Sequence, residues 1–137
     1  MRMDCPSAPA EAAGSHAFGV VGGTVEEPRV AYLRESIPVS AELLAASKPI
    51  TPNEVLRTAA PCAEKQCAHF HADKCMLAAS IVARLPIVVS RPPPCSLRST
   101  CRWWRQEAVA ACLRCPQVVT RSHSCSANYE EAVAPAR

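Results

Sequence analysis

The sequence predicts a small α+β or mainly α protein with a short N-terminal β element, two or three short helices and cysteine-rich loops that bind metal. Apolar residues make up 49% of its 137 residues but aromatic residues only 4%, so the hydrophobic core must be thin. The nine cysteines can stabilise a fold with so thin a core, because small proteins with weak cores are commonly held together by metal or by disulfides. Helix start and stop signals recur between the prolines, which predicts short elements.

The β element is expected near the N-terminus. Residues 1–16 are expected to be disordered. After them, the valines that flank Gly22-Gly23, followed by Arg29–Leu33, predict a hairpin or two strands between Phe18 and Leu33. A short helix is expected from Ser40 to Ser47.

The clearest helix signal is the run Thr51-Pro52-Asn53-Glu54. It combines a capping threonine, a proline at the first helical position and a glutamate three residues after the cap. These residues predict a helix from Pro52 to about Ala60. Pro61 then ends it and places Cys62 in a loop.

Two further helices are predicted, each next to cysteines. The first runs from about Asp73 to Leu85, where Pro86 stops it, so Cys75 is expected in its first turn. The stiff run Arg91–Pro94 then leads into Cys95 as an extended spacer. The second helix covers Arg102 to about Leu113, a stretch that contains alanines and no glycine.

The three parts of the chain have different expected roles. Residues 17–121 are predicted to form a single cysteine-rich metal-binding domain, between the disordered N-terminus at 1–16 and a flexible tail at 122–137. Met1–His16 lacks the apolar run of a secretory signal, and no stretch reaches the roughly 20 apolar residues of a membrane span. We therefore expect a cytoplasmic protein without membrane contact, in which clustered cysteines are metal ligands or redox centres.

The cysteines form two groups along the sequence. The first is Cys62-x4-Cys67-x7-Cys75, and the second is Cys95-x5-Cys101-x10-Cys112-x2-Cys115. Cys112 and Cys115 form the clearest metal-binding motif, because two thiolates separated by two residues can chelate one metal or one cluster edge. Cys5 is isolated in the sequence and is interpreted as an ordinary thiol, and Cys125 trails both groups.

Sulfur ligands favour a soft metal, which means zinc or iron bridged by sulfide. We expect an iron–sulfur cluster, [2Fe–2S] or [4Fe–4S], because structural zinc sites usually present two short cysteine pairs and this chain has one C-x2-C. Zinc remains the alternative metal. A compact zinc set is present in the first group as Cys62, Cys67, His71 and Cys75.

A local resemblance also points to iron. Residues 98–116, with Cys101, the pair Trp103-Trp104, and Cys112-Leu-Arg-Cys115-Pro116, resemble the C-terminal cysteine motif of bacterial ferric-siderophore iron reductases. The resemblance covers about 20 residues and implies a [2Fe–2S] cluster. The family has two adjacent cysteines where this chain has Thr100-Cys101, so Cys95 is the candidate for the fourth ligand. Trp103 and Trp104 stand in the place of the family's aromatic pair and are expected beside the cofactor.

The charge of the second half offers a rival interpretation. Between Arg84 and Arg121 there are seven arginines against Glu107 alone. Arginines next to Trp103-Trp104 could contact phosphates and stack on bases, so nucleic acid is a second candidate partner. We favour the simpler interpretation that the arginines offset thiolate charge and that the tryptophans shield the site from water.

These features predict an iron–sulfur protein for electron transfer, redox or iron sensing, or accessory support of a larger enzyme, with a protein as its partner. A zinc-stabilised protein- or nucleic-acid-binding module is the alternative. A thiol-redox protein is the second alternative, although C-x2-C redox pairs normally open a helix and this pair closes one. No catalytic triad, phosphate-binding glycine loop or paired catalytic carboxylate is visible, so an independent enzyme is not expected.

Overall fold

The computed structural model describes residues 2–24 and 26–120 and has an α+β fold, as predicted. Four strands form one antiparallel sheet in the order β1-β4-β2-β3, and two short strands form a separate hairpin. The six strands are β1 (Asp4–Cys5), β2 (His16–Gly23), β3 (Pro28–Pro38), β4 (Leu56–Pro61), β5 (Phe70–His71) and β6 (Lys74–Cys75). The α-helices described are α1 (Ala41–Ser47), α2 (Pro52–Val55), α3 (Met76–Arg84), α4 (Arg102–Glu107) and α5 (Val109–Cys112), with 3-10 turns at Glu64–Gln66, Arg98–Thr100 and Cys115–Gln117.

The predicted N-terminal hairpin is confirmed, and both of its strands are longer than expected. β2 and β3 pair from Gly23↔Pro28 to His16↔Pro38, with an irregularity between Ala17 and Gly19. Gly19 is required there because a Cβ at this position would lie 2.5 Å from Val30 Cγ1. The close approach of the two strands therefore depends on the missing side chain.

The N-terminal segment differs from the disorder expected for residues 1–16. Asp4–Cys5 forms β1 against β4, and the segment that follows crosses the sheet with Ala8, Ala10 and Ser15 buried. The backbone N–H of Ala10 donates to Oδ1 of the buried Asn53 at 2.7 Å. Residues 2–16 are therefore part of the fold, because their backbone completes the edge of the sheet.

The predicted helix from Pro52 to Ala60 is wrong in its second half. It begins as expected, and the Thr51 backbone N–H donates to the Glu54 carboxylate at 3.0 Å. After one turn the chain becomes strand β4, which pairs with β1 on one side and with β2 on the other. Pairing on both sides satisfies the backbone of Leu56–Pro61 and overrides the local helix signal.

The helix predicted from Asp73 to Leu85 begins later, at Met76. Ala72 and Asp73 have φ angles of 51° and 62° and form the two-residue turn between β5 and β6. Cys75 therefore caps α3 instead of lying in its first turn. The apolar face is as predicted, with Leu77, Ala78 and Ile81 buried.

The helix predicted from Arg102 to Leu113 is divided in two. Ala108 has φ 56° and ψ −141°, outside the regions favoured by residues with a side chain, and it separates α4 from α5.

The expected short helix at Ser40–Ser47 is confirmed as α1, with Ser40 Oγ accepting from the Leu43 N–H at 3.1 Å. Five short α-helices are thus described where two or three were predicted.

The core lies between the sheet, α3 and α4, and sulfur makes up part of it. Trp103 at its centre is 1% exposed, and the cysteines Cys75, Cys101 and Cys115 are buried in the same cluster. The low aromatic content is thus offset by thiol side chains acting as small core residues.

Within the described part of the chain, no helix combines the length and apolar character that crossing a bilayer requires. The tail predicted at 122–137 and Cys125 lie outside the described residues.

Candidate metal centre

The four cysteines of the second sequence group line one cavity. Cys95 lies in the loop after the proline run, Cys101 caps α4, Cys112 ends α5, and Cys115 opens the following 3-10 turn. Four separate elements are therefore needed to bring the thiols together. The rest of the wall is mainly apolar and aromatic: Pro6, Phe18, Tyr32, Pro93, Leu97, Arg98, Trp103, Trp104 and Ala111.

The turn that carries Cys112 and Cys115 is held against the loop after α3. The Val88 N–H donates to the Leu113 carbonyl at 3.0 Å, and Arg114 Nε donates to the Leu85 carbonyl at 2.9 Å. These bonds fix the backbone between the two cysteines. The C-x2-C pair closes a helix, as the sequence indicated.

Arg57 supplies a buried positive charge to this centre, and sequence analysis missed it. Its side chain is 0% exposed, and Nη2 donates to Cys115 Sγ at 3.2 Å. Its Nη1 donates to the Cys115 and Val118 carbonyls, each at 2.9 Å. The guanidinium also lies 5.8 Å from the Trp103 ring centroid. A single arginine in a segment with a helix-start signal carries no local sign of this role.

Three buried donors around the cavity have no hydrogen-bond partner among the described residues. They are the Tyr32 hydroxyl, Arg98 Nε and the Trp103 indole nitrogen. Buried polar groups are normally satisfied, so each such donor marks a place where an acceptor fits. A thiolate or a cluster sulfide is an acceptor of this kind, and all three residues lie on the wall of the cysteine cavity.

Burial controls the charge state of the thiols in the absence of metal. It raises the pKa of Cys101 to about 12 and also raises the pKa values of Cys95 and Cys112. At Cys112 the neighbouring Arg98 opposes this rise by hydrogen bonding and charge. The thiols of Cys95, Cys101 and Cys112 are therefore protonated at neutral pH, so a metal that bound them would release protons.

The first sequence group lies apart from this cavity. Cys62 follows strand β4, Cys67 ends a 3-10 turn, and Cys75 ends β6. Cys5, interpreted from the sequence as an isolated ordinary thiol, lies in β1 directly beside the end of β4 that leads to Cys62. Strand pairing thus brings Cys5 close to the first group across more than 50 residues of sequence.

The compact zinc set with His71 does not match this geometry. In the β5–β6 hairpin, Phe70 pairs with Cys75 and His71 pairs with Lys74. Successive residues of a strand point to opposite faces, so His71 lies on the face opposite to Cys75. His71 is exposed, whereas Cys75 is buried.

The thiols of the second cysteine group line one cavity, but they are not arranged around a common metal position. In residues 2–24 and 26–120, no three His, Cys, Asp or Glu side chains stand in positions that would hold a metal ion. A single zinc ion with Zn–S bonds of about 2.3 Å needs sulfurs about 3.8 Å apart. The eight cysteines described are all free thiols, so no disulfide among them blocks metal binding.

Most of the arginines between Arg84 and Arg114 donate hydrogen bonds to acceptors within this chain. Four of them donate to acceptors of this chain: Arg98 to the Pro93 carbonyl, Arg102 to Cys62 Sγ and Glu64, Arg105 to the Ser99 carbonyl, and Arg114 to the Leu85 and Ala110 carbonyls. Arg98 also lies 5.6 Å from the Trp104 ring centroid. This arrangement supports charge balance around the thiols more than a phosphate-binding surface.

Comparison with known proteins adds no assignment. The chain matches no protein-family description, no curated protein and no solved structure. The function must therefore be argued from the cysteine geometry.

Proposed function

We propose that this chain is a small iron–sulfur protein that binds a cluster through Cys95, Cys101, Cys112 and Cys115 and transfers single electrons to or from a protein partner. The observation that carries the proposal is the shared cavity. Four cysteines from four separate elements meet around one space.

The donor set and its surroundings support a cluster. Thiolates select soft metals, and a bound cluster would supply a one-electron redox couple. The chain's own residues then set its charge and hydration. Arg57 already donates to Cys115 Sγ, Arg98 stabilises the thiolate of Cys112, and the Tyr32 hydroxyl is left over as a further donor. Donors to cluster sulfur and nearby positive charge raise a cluster's reduction potential.

The lining of the cavity suits a metal centre that is shielded from water. The four cysteines share the wall with Phe18, Trp103 and Trp104 around a volume of about 20 Å³. Apolar surroundings of this kind tune the potential of an iron–sulfur cluster. The resemblance of residues 98–116 to the motif of ferric-siderophore iron reductases supports the same metal and favours [2Fe–2S].

One side of the centre is suited to a partner. Cys101 and Cys115 are buried, whereas Cys95 and Cys112 are half-exposed, together with Trp104. Electrons would enter or leave on this half-exposed side, close to the protein surface. Trp103 and Phe18 exclude water from the opposite side.

The test is anaerobic purification followed by a visible absorption spectrum and iron, sulfide and zinc analysis of one sample. We expect a coloured protein with matched iron and sulfide. Cys112→Ser and Cys115→Ser should each lose iron and sulfide and lower the thermal unfolding temperature, because metal binding contributes folding free energy. Cys125→Ser is the matched control and should keep the wild-type iron content. A colourless protein with stoichiometric zinc, or unchanged iron in both ligand variants, would overturn the proposal.

A further inference from the structure

The N-terminal strand places a fourth cysteine beside the first sequence group. β1 pairs antiparallel with β4 so that Cys5 lies opposite Ala60, and the ladder continues with the Cys62 N–H donating to the Met3 carbonyl at 2.9 Å. Residues opposite one another share a face of the sheet, and so do residues two apart on one strand. Cys5 and Cys62 are therefore diagonal neighbours on one face, with Cα atoms about 7–8 Å apart.

The β5–β6 hairpin brings the other two thiols to the same place. Cys67 precedes the hairpin, and its Sγ accepts from the His69 N–H at 3.4 Å. The Phe70 N–H donates to the Cys67 carbonyl at 3.1 Å, and Phe70 pairs directly with Cys75. Cys67, Phe70 and Cys75 thus belong to one compact unit.

Helix α4 joins this hairpin to the sheet. Arg102 Nε donates to Cys62 Sγ at 3.1 Å, and the same guanidinium lies 5.2 Å from the Phe70 ring centroid. One turn later, Gln106 holds the Cys75 backbone by accepting from its N–H at 2.8 Å and donating to its carbonyl at 2.9 Å. Arg102 is buried and plays the same part here that Arg57 plays at Cys115, as a cation donating to a cysteine sulfur.

We propose that Cys5, Cys62, Cys67 and Cys75 form a second four-thiol site that binds its own iron–sulfur cluster, with Trp103 between the two centres. The identity of the metal rests on the function proposed above, whereas the grouping of the four thiols rests on the strand, hairpin and helix contacts alone. The protein then carries two redox centres, and electrons can pass between them inside the chain.

The surroundings of Cys5 and Trp103 agree with this grouping. Burial, with smaller contributions from the Cys75, Cys62 and Cys67 thiols, raises the pKa of Cys5 to about 12, so all three lie within electrostatic reach. The Trp103 ring lines the cavity of the first centre. Its indole N–H lies close to Cys75 and partly opposes the rise that burial causes in the pKa of that thiol.

The test measures iron, sulfide and zinc per chain in wild type and in Cys5→Ser, Cys67→Ser, His71→Ala and Cys112→Ser. We expect Cys5→Ser to lose about half of the iron, because one of two equal sites is broken. Cys67→Ser guards against simple misfolding, since Cys67 follows a 3-10 turn and lies outside the strands of the sheet, and it should lose the same half. The Cys5→Ser/Cys67→Ser double variant should lose no more than either single variant, whereas Cys5→Ser/Cys112→Ser should lose nearly all of the iron.

Electron paramagnetic resonance of the reduced protein gives an independent readout. Two paramagnetic centres separated by one tryptophan should broaden each other's signals, and Cys5→Ser should leave a single narrow spectrum.

Three outcomes would overturn the second site. The first is that Cys5→Ser keeps all of the iron; if Cys112→Ser still loses iron, the first site stands. The second is that the losses of iron in Cys5→Ser and Cys67→Ser add up in the double variant. The third is that His71→Ala loses as much iron as Cys5→Ser. Wild-type protein that holds zinc, lost in Cys5→Ser, would refute the iron assignment at both sites and keep the four-thiol grouping.

Discussion

Arg57→Met tests whether the buried arginine joins the N-terminal segment at Pro6 to the C-terminal turn at Cys115–Val118. Arg57 donates from β4 to carbonyl oxygens in two distant segments, at Pro6 and at Cys115 and Val118. Its guanidinium also lies 5.1 Å from the Phe18 ring centroid and 5.8 Å from that of Trp103. Methionine fills a similar volume but offers no donor, so these buried acceptors lose their partner.

The expected loss follows from those contacts. Three buried carbonyl oxygens left without this donor cost about 1 kcal/mol each, and the lost contact with the two aromatic rings adds about 1 kcal/mol. The free energy of unfolding should therefore fall by about 4 kcal/mol, a large part of a small domain's total stability. With a urea slope of about 2 kcal/mol per M, the unfolding midpoint should move down by about 2 M.

The assay is urea unfolding followed by circular dichroism, with metal content measured on the same samples because Arg57 also contacts Cys115 Sγ. Arg34→Met is the matched control, since Arg34 lies exposed in β3 and a surface change should stay within about 0.5 kcal/mol. A loss below about 1 kcal/mol in Arg57→Met, at unchanged metal content, would refute the reasoning that this side chain joins the N-terminal segment to the C-terminal turn.

Two backbone predictions follow from residues at tight positions. Ala108→Gly should raise the free energy of unfolding by about 1 kcal/mol, because glycine tolerates the φ of 56° between α4 and α5, whereas Ala108→Val should lower it. Urea midpoints that rank the two variants the other way would contradict the strain. Gly19→Ala should cost about 2 kcal/mol, since the new Cβ would lie 2.5 Å from Val30 Cγ1. Gly22→Ala is its control, where the nearest atom is the Arg29 carbonyl oxygen at 3.3 Å, and equal thermal shifts in both would exclude a steric cause.

The sequence determined those features that depend on a few neighbouring residues. The cap at Thr51–Glu54, the apolar face of α3 and the turn near Gly22-Gly23 are local signals, and each produced the expected start, face or hairpin. The spacing of the second cysteine group also marked the residues that line the cavity. Side-chain and backbone chemistry within a turn or two is enough to specify such features.

Only the tertiary structure decided which distant residues meet. Leu56–Pro61 became a strand because it pairs on both sides, although its start reads as a helix. The same pairing brings Cys5 beside Cys62, and it turns Arg57 into the buried core against Cys115. Strand partners are chosen by long-range burial and hydrogen bonding, and these contacts leave no mark in the spacing of a single segment. The spacing of the cysteines thus predicted a metal protein, while strand pairing and helix packing decided which of the eight described thiols lie near one another.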